Sequence, residues 1–397
     1  KQYPAPEIKR RNTGYALDLL LENEIFGDSK ARFNMCKLLA GSEGTLAFTS
    51  SLKLNLVDLP PKVKALMCVH TRTLREVFEA NLVALKHSPV SVELMDKKIM
   101  DLTKSNINQN RNRFFVDGDP AAILIVEWFA NDMETINKHA TELEAELKSK
   151  SMGYAYPMVY GSDISKVWEL RKAGLGVLTN MPGDAKPVPV IEDTAVRPAD
   201  LPDYMDDFEQ LMTRLGLECV YYAHIATGEL HLRPVLNLKD KKHVELFRTV
   251  ALETAKLVKK YRGSLSGEHG DGRLRGEFIP LMLGDKLYSV LKEIKQTWDP
   301  LNIFNPNKIV DTPAMNSSLR YEPGKKTREI ETIFDFSADG GFIRTAEKCN
   351  GSGDCRKSHV IGGTLCPSFQ ATRDEKNSTR ARANMLREIL SNSPSET

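Results

Sequence analysis

Residues 222–234 read Tyr-Ala-His-Ile-Ala-Thr-Gly-Glu-Leu-His-Leu-Arg-Pro. Thr227-Gly228 can form a tight turn between two short strands, which predicts a β-hairpin. Directly opposed side chains of a hairpin lie about 4.5–5.5 Å apart at Cβ. We therefore expect His224 and His231 to oppose each other across the hairpin, to project from one face, and to lie close enough to share one metal ion.

A second stretch, Gly267-Glu-His-Gly-Asp-Gly272, can complete a metal site. Glu268 offers a carboxylate as third ligand and leaves a position open for substrate, as catalytic metal sites do. His269 would then be free to act as a base. Adjacent strand residues point to opposite faces, so both side chains reach one pocket only if the glycines let the backbone leave strand geometry. An ordinary pair of strand histidines and a polar loop are the alternative interpretation.

The fold class follows from short strands that alternate with longer helices between about residues 62 and 310. This pattern predicts an α+β domain whose antiparallel or mixed sheet is covered by helices on one face. The predicted strands are Val63–His70, Val90–Met95, Ala122–Phe129, Tyr154–Tyr160 and Pro187–Ile191, and the predicted helices are Leu74–His87, Met133–Ser149, Ile164–Leu178, Asp203–Leu215, Lys241–Lys260 and Asp285–Thr297. Before the Pro60-Pro61 boundary, Tyr15–Glu22 is predicted to be helical, and Thr45–Ser51 and Leu52–Val57 are predicted to be strand-like.

Length, hydrophobic content and net charge limit the number of domains and the classes of partner that we expect. A chain of 397 residues with 41% hydrophobic content can build two domains and a small third. Its net charge of +2 does not indicate nucleic acid or anionic membrane as a partner. No apolar run approaches the roughly 20 residues of a transmembrane helix, and no secretory signal opens the chain. We expect a cytoplasmic protein that could lie at the inner face of the membrane, and the start at Lys1 indicates a fragment or processed product.

The six cysteines fall into two groups. Cys36, Cys68 and Cys219 are isolated in apolar or strand-like contexts, so we expect buried free thiols. Without an export signal, a clustered group indicates metal binding rather than disulfides. The clustered residues are Cys349, Cys355 and Cys366.

Four motifs in matching order resemble FAD-linked 2-hydroxyacid dehydrogenases, such as D-lactate and D-2-hydroxyglutarate dehydrogenases, which are relatives of the vanillyl-alcohol-oxidase flavoproteins. They are Ala40-Gly-Ser-Glu-Gly-Thr-Leu46, the hairpin at 222–234, Ser266-Gly-Glu-His-Gly-Asp-Gly-Arg273 and Asp299-Pro-Leu-Asn-Ile-Phe-Asn-Pro-Asn-Lys308. The resemblance implies the end of a PCMH-type FAD-binding domain over 1–58 and a ferredoxin-like, FAD-linked oxidase C-terminal domain over 59–310. It further implies a linker over 311–338 and the start of a truncated, mostly helical 4Fe-4S ferredoxin-type domain over 339–397.

The resemblance also implies roles for individual residues. Arg171 would grip the substrate carboxylate and Lys186 would be a second contact, although a solvated helix arginine and a surface lysine are the alternatives. Leu175 stands where the family often has a threonine. The resemblance therefore does not supply a contact for a second, distal carboxylate of the substrate. FAD would be held by Gly41, Ser42, Gly44, Thr45, Asn305 and Lys308. The family's pyrophosphate loop has no counterpart here, so we expect this chain alone to hold FAD poorly.

The implied activity is oxidation of a D-2-hydroxy acid, D-lactate or D-2-hydroxyglutarate, to the 2-oxo acid. A zinc, manganese or iron ion on His224, His231 and Glu268 would assist, and hydride would pass to FAD. Electrons would continue to a 4Fe-4S cluster on the clustered cysteines and then to a quinone, flavoprotein or cytochrome. The alternative for the cysteine segment is a zinc site with His359 as the fourth ligand. The alternative functions for the protein are a zinc hydrolase and a non-catalytic electron-transfer subunit. Whether the protein forms a homo-oligomer is left open by the sequence.

Overall fold

The computed structural model describes residues 2–27, 31–104, 106–179, 181, 183–324, 330–361 and 366–392. The strands are β1 Val63–Thr71, β2 Ser91–Asp96, β3 Ala122–Ala130, β4 Met158–Tyr160, β5 Lys186–Pro187, β6 Ile191–Ala195, β7 Cys219–His224 and β8 Glu229–Leu236. The helices are α1 Leu17–Leu21, α2 Cys36–Leu39, α3 Leu74–Ala84, α4 Lys97–Lys104, α5 Ile107–Arg111, α6 Met133–Ser149, α7 Asp163–Thr179, α8 Leu201–Leu215, α9 Lys241–Lys260, α10 Gly272–Arg275, α11 Ile279–Leu283, α12 Asp285–Trp298, α13 Phe342–Glu347, α14 Pro367–Thr372 and α15 Thr379–Asn392. Within these ranges no helix combines the length and the apolar character needed to cross a bilayer.

All the strands join one antiparallel sheet in the order β4-β1-β3-β2-β7-β8, and β5 and β6 both pair along the outer edge of β8. The predicted α+β class with an antiparallel sheet is therefore confirmed. The single strand predicted over Pro187–Ile191 is divided between β5 and β6, which lie end to end along β8.

Helices cover both faces of the sheet, so the expectation of helices on one face alone was wrong. In β1, Ala65, Met67 and Val69 belong to the large core, which includes buried residues of α3, α6, α8 and α9. Leu66 and Cys68 point the other way, into a second core with residues of α4 and α7. A strand that is apolar without alternation needs cover on both sides, which explains the second layer.

On the α7 side, the apolar second core gives way to polar side chains as the sheet passes from β2 to β8. Glu93, His231 and Arg233 are nearly buried there at strand positions that would otherwise hold apolar residues. Because burying charged groups is costly unless they are paired, such a cluster marks a functional part of the sheet.

Residues 47–61 run without strand or helix, so the strand-like stretches predicted within 45–57 are not found. Several of their apolar side chains are exposed, for example Phe48 at 83% and Leu56 at 95%. The apolar alternation was the right signal for an extended backbone, but no described strand lies alongside to pair with it.

Candidate active site

The hairpin of β7 and β8 places His224 and His231 on one face, but as diagonal neighbours. Ile225–Thr227 form a short 3-10 turn, which Gly228 closes with a φ of 78°. The four-residue loop makes Glu229 the direct partner of His224, and it makes Tyr222 the direct partner of His231. The predicted direct opposition was therefore wrong, yet the two imidazole rings still approach, with centroids 5.1 Å apart.

Glu268 joins the two histidines from the loop that precedes α10. The potential ligand atoms of His224, His231 and Glu268 all lie within 4.8 Å of one another. His224 Nε2 is 3.6 Å from Glu268 Oε1. Two ligand atoms on one tetrahedral metal, each about 2.0–2.2 Å from it, lie roughly 3.4 Å apart. The three side chains therefore have a spacing that suits a single cation.

His231 has the properties expected of a metal ligand. Burial, reinforced by His224 and Arg171, holds the pKa of His231 far below its usual range, so the imidazole is neutral. Its buried Nδ1 makes no hydrogen bond to any described residue, and the nearest carboxylate oxygen, of Glu192, is 3.7 Å away. A neutral imidazole can give a nitrogen lone pair to a metal, and a potential ligand nitrogen of this ring lies within 4.8 Å of those of His224 and Glu268, so the residues present fit a bound metal ion.

Asp193 fixes the loop that carries Glu268 and His269. It sits in a β-bulge between Glu192 and Thr194, fully buried, with a φ of 84°. Its carboxylate accepts hydrogen bonds from the backbone N–H of Glu268 at 2.8 Å and of His269 at 2.9 Å. Both residues thus face one site from a loop, and the prediction that this backbone leaves strand geometry is confirmed.

His269 lies beside the three potential ligands. Its ring is stacked on that of His231 with centroids 5.5 Å apart, and its Nε2 is 3.7 Å from Glu268 Oε1. The side chain is 40% exposed, compared with 5% for His231. It can therefore exchange protons with solvent from the edge of the site, and its role as the base stays a prediction.

Arg171 reaches the same site from α7, and its role in binding a substrate carboxylate stays a prediction. One guanidinium nitrogen, Nη2, donates to Glu93 Oε2 at 3.0 Å. The guanidinium carbon lies 5.1 Å from the centre of the Tyr222 ring. Its buried Nε has no hydrogen-bond partner in the described part of the chain, so a donor remains for an anionic ligand.

Lys186 does not join this group. It pairs with Leu236 on β8, five residues beyond His231, which is roughly 16 Å along a strand. Its ammonium donates to the carbonyl oxygen of Met181. Its role as a substrate contact stays a prediction that this position does not favour. The side chain of Leu175 lies outside the described residues.

The two stretches predicted to hold FAD meet each other and the site loop. Asn305 Nδ2 donates to the carbonyl oxygen of Glu43 at 2.7 Å, within the turn that contains Gly41, Ser42, Gly44 and Thr45. The Glu43 carboxylate accepts from the backbone N–H of Asp271 at 2.7 Å. Lys308 follows Asn305 by three residues and is half-buried. Flavin binding by these residues stays a prediction, but their convergence is the arrangement that it requires.

Sequence reasoning missed the carboxylates and cations around the predicted residues. Arg233 Nη2 lies 2.6 Å from Glu192 Oε2, and Tyr222 donates to Glu192 Oε1 at 2.5 Å. Arg10 contacts Glu268 from the N-terminal segment. The signal for the strand residues was a charged side chain in the middle of a short apolar strand, as in Val92-Glu93-Leu94.

Cys349, Cys355 and Cys366 are close in sequence, but the structure does not place their thiols together at metal-binding distance. Across the described ranges, His224, His231 and Glu268 form the one set of three or more potential ligands at metal-binding distance. The Cys366 thiol donates to the carbonyl oxygen of Asn377 at 3.7 Å. Cys68 and Cys219 are buried as predicted, but Cys36 is exposed, because it opens the short helix α2 at the surface.

Comparison with known proteins identifies relatives. Residues 60–309 match the family described as FAD linked oxidases, C-terminal domain. A D-2-hydroxyglutarate dehydrogenase of Pseudomonas putida is 31% identical over 97% of this chain and 38% of its own length, and the enzyme of that name from Haemophilus influenzae is 32% identical over the same shares. A D-lactate dehydrogenase of Archaeoglobus fulgidus is 25% identical over 70% of this chain and 58% of its own length. The chain thus spans little more than a third of the D-2-hydroxyglutarate dehydrogenases that it matches.

Proposed function

The chain belongs to the FAD-linked oxidases through their C-terminal domain at residues 60–309, and from this premise we propose that it binds and activates a D-2-hydroxy acid for oxidation to the 2-oxo acid. The observation that carries the proposal is the convergence of His224, His231 and Glu268 within 4.8 Å. Arg171 and His269 stand beside this group, so a cation site, an anion contact and a base share one face of the sheet.

The three ligand residues would hold one divalent cation and leave room for substrate oxygens. Two imidazoles and a carboxylate suit zinc, manganese or iron. A divalent cation bound there would act as a Lewis acid that lowers the pKa of the substrate hydroxyl. His231 is already neutral and needs no deprotonation before it binds metal.

The protein side chains then supply orientation and proton transfer. Arg171 binds the substrate carboxylate, for which its unpaired Nε is available. His269 accepts the hydroxyl proton, because an imidazole is suited to proton transfer near neutral pH. Its exposed edge lets that proton leave to solvent after each turnover.

FAD would be held in part by the Gly41–Thr45 turn together with Asn305 and Lys308. Bound FAD supplies the acceptor for the α-hydrogen of the substrate as hydride. The hydrogen bonds from Asn305 to Glu43 and from Asp271 to Glu43 connect these stretches to the loop that carries Glu268 and His269. This connection supports a flavin next to the proposed metal site.

The relatives guide the choice of substrate. D-2-hydroxyglutarate dehydrogenases match 97% of the chain at 31–32% identity, and the D-lactate dehydrogenase matches 70% at 25%. We therefore rank D-2-hydroxyglutarate first and D-lactate second. The final part of the proposal is electron transfer from the reduced flavin to a quinone, flavoprotein or cytochrome. A 4Fe-4S cluster on Cys349, Cys355 and Cys366 as the carrier in between stays a prediction, and the separation of these thiols in the structure does not favour it.

The test is to replace the proposed base. In a FAD-loaded protein that contains this chain, D-2-hydroxyglutarate should bleach the flavin absorbance under anaerobic conditions. His269→Asn should slow bleaching by about 100-fold or more, because proton transfer is worth roughly 10²–10⁴-fold. Metal content, measured by mass spectrometry, should not change.

His139→Asn is the matched control, because His139 lies on α6, which packs on the opposite face of the sheet. It should bleach at the wild-type rate. Wild-type rates in His269→Asn would show that the base is misassigned. Failure of the wild-type protein to bleach with either D-2-hydroxyglutarate or D-lactate would contradict the proposed function itself.

A further inference from the structure

Glu93 is a buried carboxylate in the centre of β2, for which the proposed reaction has so far given no role. Its neighbours Val92 and Leu94 are each 1% exposed, and Glu93 itself is 9% exposed. A carboxylate in such a position needs partners that offset the loss of its hydration. Its side chain points to the α7 face of the sheet, where the potential ligands lie.

The two oxygens of Glu93 contact two different parts of the site. Oε1 accepts a hydrogen bond from His224 Nδ1 at 2.7 Å. Oε2 accepts one from Arg171 Nη2 at 3.0 Å. One side chain on β2 therefore holds a potential metal ligand from β7 and the potential substrate-binding arginine from α7.

The first contact determines which nitrogen of His224 can bind a metal. A carboxylate only accepts hydrogen bonds, so Nδ1 of His224 is the donor in this contact. Nε2 is then the ring nitrogen left for a metal, and it faces Glu268 Oε1 at 3.6 Å. A carboxylate on the far nitrogen of a metal-binding histidine fixes the ring and makes it a stronger ligand.

The second contact limits the freedom of Arg171. The guanidinium group is held between Glu93 and the face of the Tyr222 ring, 5.1 Å from its centre. This leaves its buried Nε without a partner among the described residues. Fixing Nη2 and the plane of the guanidinium holds Nε in one place, which lowers the entropic cost of binding a ligand there.

We propose that Glu93 is a positioning residue that aligns His224 for the metal and Arg171 for the substrate carboxylate at the same time. The inference rests on the proposed function, because it assumes that the metal binds at His224, His231 and Glu268. It adds that the two binding steps share one support, so that loss of Glu93 impairs both.

The experiment measures Zn²⁺ affinity of the full chain by competition with a chromogenic chelator, which needs neither flavin nor turnover. Glu93→Ala should weaken Zn²⁺ binding by about 10–100-fold, the usual loss when the outer partner of a metal-binding histidine is removed. Glu93→Gln should weaken it by about fivefold, because the amide oxygen can still accept from His224 but without the help of charge. The Gln variant decides the matter if the Ala variant does not fold.

Glu127→Gln is the matched control. Glu127 is also 9% exposed, it lies on the neighbouring strand β3, and it accepts a hydrogen bond from the Ser91 hydroxyl at 3.0 Å. It should bind Zn²⁺ like the wild type. Wild-type affinity in both Glu93 variants would overturn the positioning role.

His224→Ala separates this inference from the proposed function. If His224→Ala binds Zn²⁺ weakly while the Glu93 variants bind it normally, the metal site stands and the role of Glu93 falls. If His224→Ala also binds Zn²⁺ like the wild type, the metal site itself is wrong, and with it both the proposed function and this inference.

Discussion

At the residue scale, the site combines one deeply buried imidazole with two side chains that solvent can reach. The His231 side chain is 5% exposed, whereas those of His224 and Glu268 are 32% and 36% exposed. Burial keeps the His231 ring neutral, while the open side of the site leaves a path for a cation and a substrate. This asymmetry is what a catalytic metal site needs, because a closed ligand shell would exclude the reactant.

Asp193 holds the loop that carries Glu268 and His269 through two backbone hydrogen bonds. Burial alone would raise its pKa, but hydrogen bonds from the Ser266 hydroxyl and the loop amides lower the pKa of Asp193, so it stays charged. Asp193→Asn puts an N–H donor where an acceptor is needed. We expect it to lower the free energy of unfolding by about 2–3 kcal/mol. It should also weaken Zn²⁺ binding by about 10-fold or more, because Glu268 loses its alignment.

Asp96→Asn provides the control for that substitution. Asp96 is also buried and accepts from two backbone amides, of Ile99 and Tyr221, each at 2.9 Å. Chemical denaturation should show a comparable loss of stability, and chelator competition should show unchanged Zn²⁺ affinity. Equal Zn²⁺ affinity in the two variants would mean that Asp193 stabilises the fold without aligning the site.

At the scale of elements, the hairpin turn depends on Gly228. Its φ is +78°, and a Cβ at this position would lie 1.8 Å from the carbonyl oxygen of Val196. Gly228→Ala should therefore cost more than the roughly 1–2 kcal/mol that the left-handed conformation alone imposes. The backbone must move to relieve the clash, so Zn²⁺ affinity should fall with stability.

Gly216→Ala isolates the conformational part of that cost. Gly216 caps α8 with a φ of +65°, and nothing lies within 4 Å of a Cβ built there. Urea denaturation should show a loss of about 1–2 kcal/mol with Zn²⁺ affinity intact. If Gly228→Ala were no more destabilising than Gly216→Ala, the contact with Val196 would not constrain the turn.

The sequence predicted some elements to the residue and missed the pairing between others. Met133–Ser149 and Lys241–Lys260 begin and end where they were predicted, and their starts are marked by an Asp that caps each helix through its side chain. The hairpin was predicted, but its register was not, since Thr227-Gly228 does not reveal how many residues the loop contains. The four-residue loop places Glu229, rather than His231, opposite His224.

The site was predicted where its residues are local in sequence and missed where they are not. His224, His231, Glu268 and His269 lie in two short motifs, and the structure brings them together. Glu93 and Asp193 arrive from β2 and β6, and their contacts depend on strand order and on a bulge. Neither feature leaves a local pattern, apart from a charged residue within an apolar strand.

At the scale of the whole molecule, the site joins segments that are far apart in the chain. Arg10 contacts Glu268 from the N-terminal segment, 258 residues away, and Asn305 reaches Glu43 across 262 residues. The C-terminal segment contacts the sheet domain away from this site, through an ion pair in which Arg344 on α13 lies 2.8 Å from Asp184. Hydrogen bonds from Arg344 and Lys239 hold the pKa of Asp184 well below its usual range, so this attachment persists at neutral pH.

The central claim is that His224, His231 and Glu268 bind one cation together, and a Zn²⁺ titration of the wild-type chain and of His231→Ala tests it most directly. We expect one tightly bound Zn²⁺ per wild-type chain and a loss of affinity above about 100-fold in His231→Ala, more than removal of an outer partner causes. His139→Ala, on the opposite face of the sheet, should bind Zn²⁺ like the wild type. Equal Zn²⁺ affinity in the wild type and in His231→Ala would contradict the account.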